Sequence, residues 1–465
     1  MGTNISPRVL SVRALGVGLA ASGGMIFAMF ASAAAFAGDL GSADSHSFKD
    51  PAPDDDFLTR PYLFGDWGGT RTRLRGMGID VTFSGVNETV GNVSGGRKNI
   101  IQQASQFALG AKFDMDKLAG WQGGTFNITL SDRFGHSHAE DAHIPALQLD
   151  NEVFGRGNIV RLTELYYQQK LFGDQVQIKG GRLPVASDFF FQHCDFLNLS
   201  LCGGQPGNLL GDYIYNWPVS QWAGIVKFNL PQDFAFQVGV YDRNDKYLDT
   251  RPDIALLPSW PSDSQGALVP LELQWKPRIG NLQPGDWRVG GWFSTEDAQD
   301  VAKDINGDPF LVTQLPAVID SGRSGFYFSF LQPLTSDPTG ADPKYGLSVF
   351  VNGSFGDQET SFLDRQISIG LIQHATFPWR PNDEIAFGYS QTHVNSRVAD
   401  AEAAAGLATQ DTEHVFEVWY GIQATGWLNI HLDAQWIHNP GGFSESENPD
   451  ADDAVVLGAK TSVQF

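Results

Sequence analysis

This chain is poor in three things, and each shortage excludes something. It has two cysteines in 465 residues, Cys194 and Cys202. That is too few for a disulfide-stapled small scaffold, and neither has the second pair or the nearby histidine spacing of a structural zinc site. Positive charge is scarce: 31 Lys and Arg stand against 53 Asp and Glu, a formal net charge of −22. This deficit argues against a nucleic-acid binder and against a polybasic membrane-surface protein. Beyond residue 37 no apolar run is long enough for a membrane-crossing helix, and mean hydropathy is −0.20. No C-x-x-C redox pair and no G-x-S-x-G elbow occurs, and Ser, His and Asp are scattered without a nucleophile–base pattern. No enzyme, cofactor or metal is therefore expected.

Glycine and aromatic rings are plentiful: 52 Gly, 33 Phe and 12 Trp. That mixture suits strands, turns and aromatic girdles better than helices. The front of the chain reads as an export leader. Arg8 and Arg13 precede the small, apolar, uncharged stretch Ala14–Ala34, and Ala35-Phe36-Ala37 is an A-x-A cleavage signal. Removing residues 1–37 takes away two positive charges and moves the net charge from −22 to −24. Export makes one local disulfide between Cys194 and Cys202 the natural expectation.

The far end carries the second strong signal. Val455–Phe465 alternates strictly, with Val463, Thr461, Ala459, Leu457 and Val455 on one face and Gln464, Ser462, Lys460 and Gly458 on the other. Such a strand has two different solvents on its two faces. Similar alternation recurs at Ile79–Phe83, Phe126–Leu130, Val176–Ile178, Phe234–Val240, Leu271–Trp275, Leu347–Val351, Ile385–Tyr389 and Leu428–Ala434. Connections come in two lengths. Leu230–Asp233 and Thr376–Asp383 are short, whereas Tyr241–Ala267, Thr295–Arg323 and Asn395–Asp411 are long and polar. An all-β transmembrane antiparallel barrel of about 16 strands accounts for all of this. The expected divisions are a leader over 1–37, a periplasmic segment with a short helix over 38–78, and an outer-membrane barrel over 79–465. In the middle segment Asp66 is placed to cap a helix that Gly76 or Gly78 ends.

Four stretches resemble the carbohydrate-selective porins of the OprB type: Leu63-Phe64-Gly65-Asp66-Trp67-Gly68-Gly69-Thr70-Arg71-Thr72-Arg73-Leu74 with Gly78-Ile79; Lys179-Gly180-Gly181-Arg182 through Phe189-Phe190; Cys194-Asp195-Phe196-Leu197-Asn198 through Cys202-Gly203; and Asp433-Ala434-Gln435-Trp436 through Gly441-Gly442. The resemblance runs from about Leu63 to Phe465. It implies an outer-membrane barrel that passes sugars by facilitated diffusion. The alternative at this point is a general or structural barrel, or an adhesin, without sugar selectivity.

A sugar channel needs a narrow place where polar groups replace water on hydroxyls and aromatic faces meet the ring. Asp188–Gln221 is long enough to fold inward as a constriction loop, and it holds both cysteines, Tyr213, Tyr215 and Trp217. The candidate sugar-binding residues are Arg133, Glu164, Arg182, Asp188, Tyr213 and Trp217. Lys179, Glu417 and Asp433 are further pore-lining charges. Arg182 follows Gly180-Gly181, and the space this leaves suggests a guanidinium swinging into the lumen beside Glu164. His136, His138 and His143 lie near Glu140 and Asp141, but their spacing is not that of a helical zinc motif. Expected partners are small sugars, outer-membrane lipid and the barrel-assembly machinery, with no nucleic acid, in a monomer or homotrimer.

Overall fold

The computed structural model describes residues 56–190, 194–336, 346–444, 448 and 451–465. The leader, its cleavage after Ala37 and the lead-in up to residue 55 lie outside the described residues. The strands are β1 (Ile79–Ser94), β2 (Ile101–Asp114), β3 (Gly124–Gly135), β4 (Ile159–Leu171), β5 (Val176–Leu183) and β6 (Gln221–Leu230). Next come β7 (Phe234–Arg243), β8 (Gly266–Trp275), β9 (Asp286–Asp304), β10 (Ala317–Pro333) and β11 (Gly346–Gly356). The last five are β12 (Leu363–His374), β13 (Glu384–Val394), β14 (Thr412–Thr425), β15 (Leu428–His438) and β16 (Ala454–Gln464). Each pairs antiparallel with its neighbours in sequence, and β1 pairs with β16, so the sheet is a closed 16-stranded barrel. Closure leaves no edge with unpaired N–H and C=O groups, which hydrocarbon would not satisfy.

The alternation sorts side chains as expected. Leu271, Leu273, Phe387, Leu432 and Leu457 are exposed on the outer face, while Lys460 is buried on the inner one. Val463 shares the face of Leu457 yet is fully buried. Its cross-strand partner Gly85 lies against the rings of Phe107 and Phe465, which crowd this corner. Aromatic pairs gather at both rims. Phe113–Phe126, Phe234–Trp275 and Trp287–Phe330 mark the short-turn side; Phe326–Phe355, Tyr389–Phe416 and Phe416–Trp436 mark the other. These are the two interfacial girdles of an outer-membrane barrel.

One expected loop is not a loop. Much of Thr295–Arg323 continues β9 and β10, which reach 19 and 17 residues and form a hairpin with a short helix at its tip. Beyond the membrane both faces of a hairpin meet water, so the apolar–polar alternation that reveals a strand fades.

The N-terminal signature folds at the mouth of the barrel where the chain also ends. Trp67, Gly68 and Gly69 all have positive φ (51°, 64° and 87°), a left-handed turn that two glycines make inexpensive. It leads into helix α1 (Thr70–Gly76), where Asp66 Oδ1 accepts from Thr72 N at 2.8 Å. Arg71 lies between the rings of Tyr62 and Trp67, 3.6 and 4.4 Å from their centroids, and donates to the Phe465 carbonyl oxygen at 2.5 Å. Leu63 N donates to Gln464 O at 2.7 Å, and the Phe64 ring stacks on Phe465.

Candidate functional site

Two long connections fold into the barrel and narrow it. The described residues of the β5–β6 connection, 184–190 and 194–220, form the larger inward loop. Its apolar side chains dock on two neighbouring sectors of the inner wall. Phe189, Phe190, Tyr213 and Ile214 pack with Tyr241, Trp292 and Tyr327. Phe196, Leu197 and Leu201 pack with Phe350, Ile372 and Trp419. Removing each such side chain from water favours docking by about 1.5–3 kcal/mol. Polar ties fix the register of this loop. Glu417 accepts from Leu197 N and Asn198 N at 2.6 and 3.0 Å. Gln205 donates to Ser368, and Gln366 donates to Ser200 O, both at 2.9 Å. Cys194 and Cys202 form a disulfide within the loop.

Residues 136–158, between β3 and β4, form the smaller inward loop. Glu152 N donates to Leu197 O at 2.9 Å and Leu199 N to Leu149 O at 2.8 Å, so the two loops are joined by backbone. His138 is fully buried, with Nδ1 2.5 Å from Asp150 and Nε2 facing Asn92. His136 faces Asp141, and His143 Nδ1 faces the Glu140 carbonyl. The three histidines do not converge; His138 is a structural pin for the loop.

One polar cluster spans the wall and both loops. Arg133 Nε on β3 and Trp217 Nε1 on the larger loop both donate to Gln106 Oε1 of β2, each at 2.7 Å. Arg133 Nη2 lies 4.0 Å from Glu152 Oε2 of the smaller loop. Glu152 lies within 4.8 Å of both disulfide sulfurs. Half-buried Arg156, on the same loop as Glu152, donates to Gly211 O at 2.7 Å and lies 5.7 Å from the centre of the Tyr215 ring.

The other candidates hold structure. Glu164 accepts from Asn127, Thr129 and Ser187 at 3.0, 3.2 and 3.2 Å. Asp188 pairs with Lys179 at 2.7 Å. Together they tie the start of the larger loop to the wall. Tyr213 is fully buried: its hydroxyl accepts from Trp292 Nε1 at 2.8 Å, and Arg323 covers its ring at 3.7 Å. Burial raises the phenol pKa of Tyr213 against the opposing pull of Arg323, so it stays neutral at any physiological pH.

The expectation that Arg182 enters the lumen beside Glu164 does not hold. Lys179 faces inward to Asp188, and Arg182, three positions on, falls on the opposite face. Its guanidinium donates to the carbonyls of Ser220, Leu257 and Ser259 at 3.1, 3.4 and 3.4 Å and lies over Tyr247. Leu257 and Ser259 belong to the β7–β8 connection, which folds back over the outer wall, where Trp260 stacks on Trp222. Gly181 serves the close approach of β4 and does not open space in the lumen. A Cβ on Gly181 would sit 2.1 Å from the Leu165 carbonyl oxygen.

Sequence reading missed Gln106, Glu152 and Arg156. Glu152 and Arg156 stand four apart in a polar connection, and only the inward fold of that connection brings them against the larger loop and the wall.

Residues 98–465 match the family model described as carbohydrate-selective porin, OprB family. Porin B of Pseudomonas aeruginosa is 35% identical over 427 residues, covering 87% of this chain and 91% of that protein. The high-pH structure of Pseudomonas putida OprB superposes with a TM-score of 0.83 at 35% identity, covering 88% of this chain and all of that one. The low-pH structure of the same protein gives a TM-score of 0.57 at 27% identity and covers 88% of this chain. The closed barrel, the inward loops and these similarities lead to one conclusion: the chain belongs to the OprB family of carbohydrate-selective porins and is an outer-membrane sugar channel.

Proposed function

We propose that sugars cross by weak, transient contacts at the gap bounded by Arg133, Glu152 and Trp217. The observation that carries this reading is the shared acceptor Gln106, which draws a wall guanidinium and a loop indole to one point, each at 2.7 Å. Glu152 adds a carboxylate 4.0 Å from Arg133. A sugar presents hydroxyls around its rim and an apolar ring face. Arg133 donates to hydroxyl oxygens, Glu152 accepts from hydroxyl hydrogens, and the half-buried Trp217 offers a flat apolar surface. Few contacts of this kind keep binding weak enough for release. Glu164, Asp188 and Tyr213 serve by holding the larger loop, and Arg182 serves the outer wall; none of the four touches the sugar.

The test is single-channel recording in planar bilayers with a panel of sugars as blockers. Arg133→Ala, Glu152→Gln and Trp217→Ala each weaken sugar block while the channel still conducts ions. Full block in all three variants overturns the reading. No bond-making chemistry is assigned to the chain.

The leader directs export and is removed after Ala37; the exported protein then begins at Gly38, which N-terminal sequencing checks. Residues 38–78 form the periplasmic segment and 79–465 the barrel. The barrel-assembly machinery acts on the terminal strand ending at Phe465, so depleting that machinery leaves the chain in the periplasm. The pore is complete within one chain, and each copy conducts alone or in a homotrimer; mass measurement in detergent tells these apart.

A further inference from the structure

Lys460 lies in the middle of β16, faces inward and is fully buried. Its Nζ donates to Glu152 Oε1 at 3.1 Å, to the Cys194 carbonyl at 3.3 Å and to the Phe196 carbonyl at 3.2 Å. An ammonium has three donors, and here one goes to the smaller inward loop and two to the larger. Its charge faces Glu88 Oε1 of β1 at 3.2 Å. Glu88 Oε2 in turn accepts from Val153 N, next to Glu152, at 3.0 Å. One side chain on the wall therefore meets both loops at the place where they meet each other.

The arrangement also divides Glu152. Its Oε1 is held by Lys460, and its Oε2 is the oxygen nearer Arg133, at 4.0 Å. Holding one oxygen from behind fixes where the other points. The Cys194–Cys202 disulfide closes the ring that contains both loop carbonyls gripped by Lys460. Without the ammonium, Glu88 and Glu152 would be two carboxylates facing each other in a dry corner, and each would favour leaving it.

We propose that Lys460 is the positioning residue of the constriction: it sets the gap between the two inward loops and aims Glu152 at the sugar path without touching sugar. This rests on the reading of Glu152 as a sugar contact, and the experiment separates the two.

Sugar block and ion conductance are measured on Lys460→Met, Lys460→Arg, Glu152→Gln and the Lys460→Met/Glu152→Gln double variant. Heat-modifiable migration on gels checks that each barrel is closed. Lys460→Met raises the half-blocking sugar concentration by about tenfold, the size expected when an interaction with a charged group is lost, and it raises ion conductance as the loops part. Lys460→Arg recovers most of the block, because it keeps the charge and the donors. The double variant loses clearly less block than the two single losses added together, since much of the Lys460 effect runs through that carboxylate. If Lys460→Met fails to close, Lys460→Met/Glu88→Gln removes the stranded wall charge and carries the same expectation. Normal block in a closed Lys460→Met channel overturns the proposal, as does a double variant whose losses simply add. Normal block in Glu152→Gln instead overturns the sugar-contact reading.

Discussion

Arg133 and Arg182 sit near the ends of strands two apart in one sheet. Both are nearly inaccessible, at 8% and 2% exposure. The resemblance ends there. Arg133 shares an amide oxygen with a loop tryptophan and faces a carboxylate of the smaller inward loop. Arg182 spends its donors on three backbone carbonyls and, among the described residues, has no acidic side chain as a hydrogen-bond partner, so it works as a staple between the outer wall and a loop folded onto it. Burial and charge alone do not distinguish a channel residue from a strut. The face of the strand does, and so does the kind of partner, because carbonyls of a folded loop are satisfied for good whereas side chains around an opening can exchange partners with a passing solute.

The largest test of the two faces lies on the outer one. Leu432 is 52% exposed on β15, and Leu432→Arg places a charge toward lipid. The barrel should lose about 2–4 kcal/mol if the site is near mid-depth, read by denaturant unfolding in vesicles; an unchanged midpoint would break the assignment of faces. Next comes the disulfide of the inner loop. Cys194→Ser/Cys202→Ser should cost roughly 2–3 kcal/mol at most, the scale for a short closed loop, and should leave a noisier open channel. Mass spectrometry of unreduced fragments checks the pairing directly, and free thiols at both positions would refute it.

The comparison itself is sharpened by replacing each arginine. Arg133→Ala should weaken sugar binding by about 1.5–3 kcal/mol, the range for a hydrogen bond to a charged group. Arg182→Ala should leave sugar binding within about 0.5 kcal/mol, as a change remote from the opening does, while exposing the β7–β8 connection to protease. Equal effects on sugar block would erase the distinction. A subtler substitution is Trp217→Phe, which keeps a ring but removes the donor to Gln106. A loss of about 0.5–1.5 kcal/mol in sugar affinity is expected, and a loss as large as that of Trp217→Ala would show that the ring face contributes nothing.

Much of the barrel was legible because lipid enforces a strict rule on every second residue. The faces of Leu271, Phe387, Leu432 and Lys460 all follow from counting in twos. The same count, carried from Lys179, puts Arg182 outside; the glycine pair was no reason to set it aside. The constriction was half legible. A loop as long as 184–220, rich in rings, had to pack somewhere, and the barrel interior is where apolar side chains escape water. The inward fold of 136–158 left no such trace, for its polar residues suit a surface as well as a lumen. Its seat on the wall and its link to the larger loop depend on Glu88, which accepts from Val153 N, and on Gln435, which donates to Asp150 O and accepts from Asn198 Nδ2; both are remote in sequence. The extended β9–β10 hairpin escaped because water on both faces removes the rule.

The contact between the signature segment and Phe465 bears on how the cylinder is made. Every other strand pair can form between neighbours in synthesis order, but the β1–β16 ladder joins the two ends of the ribbon. Arg71 and Phe465 are 394 residues apart, and bringing such distant points together costs on the order of 5 kcal/mol in chain entropy by the (3/2)RT ln n rule. The clasp of Arg71, Leu63 and Phe64 on the final two residues exists only once that seam has shut. It therefore stabilises the ring over the open ribbon without favouring any earlier strand pair. Unzipping the cylinder at its one non-sequential joint must first undo a buckle that lies outside the sheet.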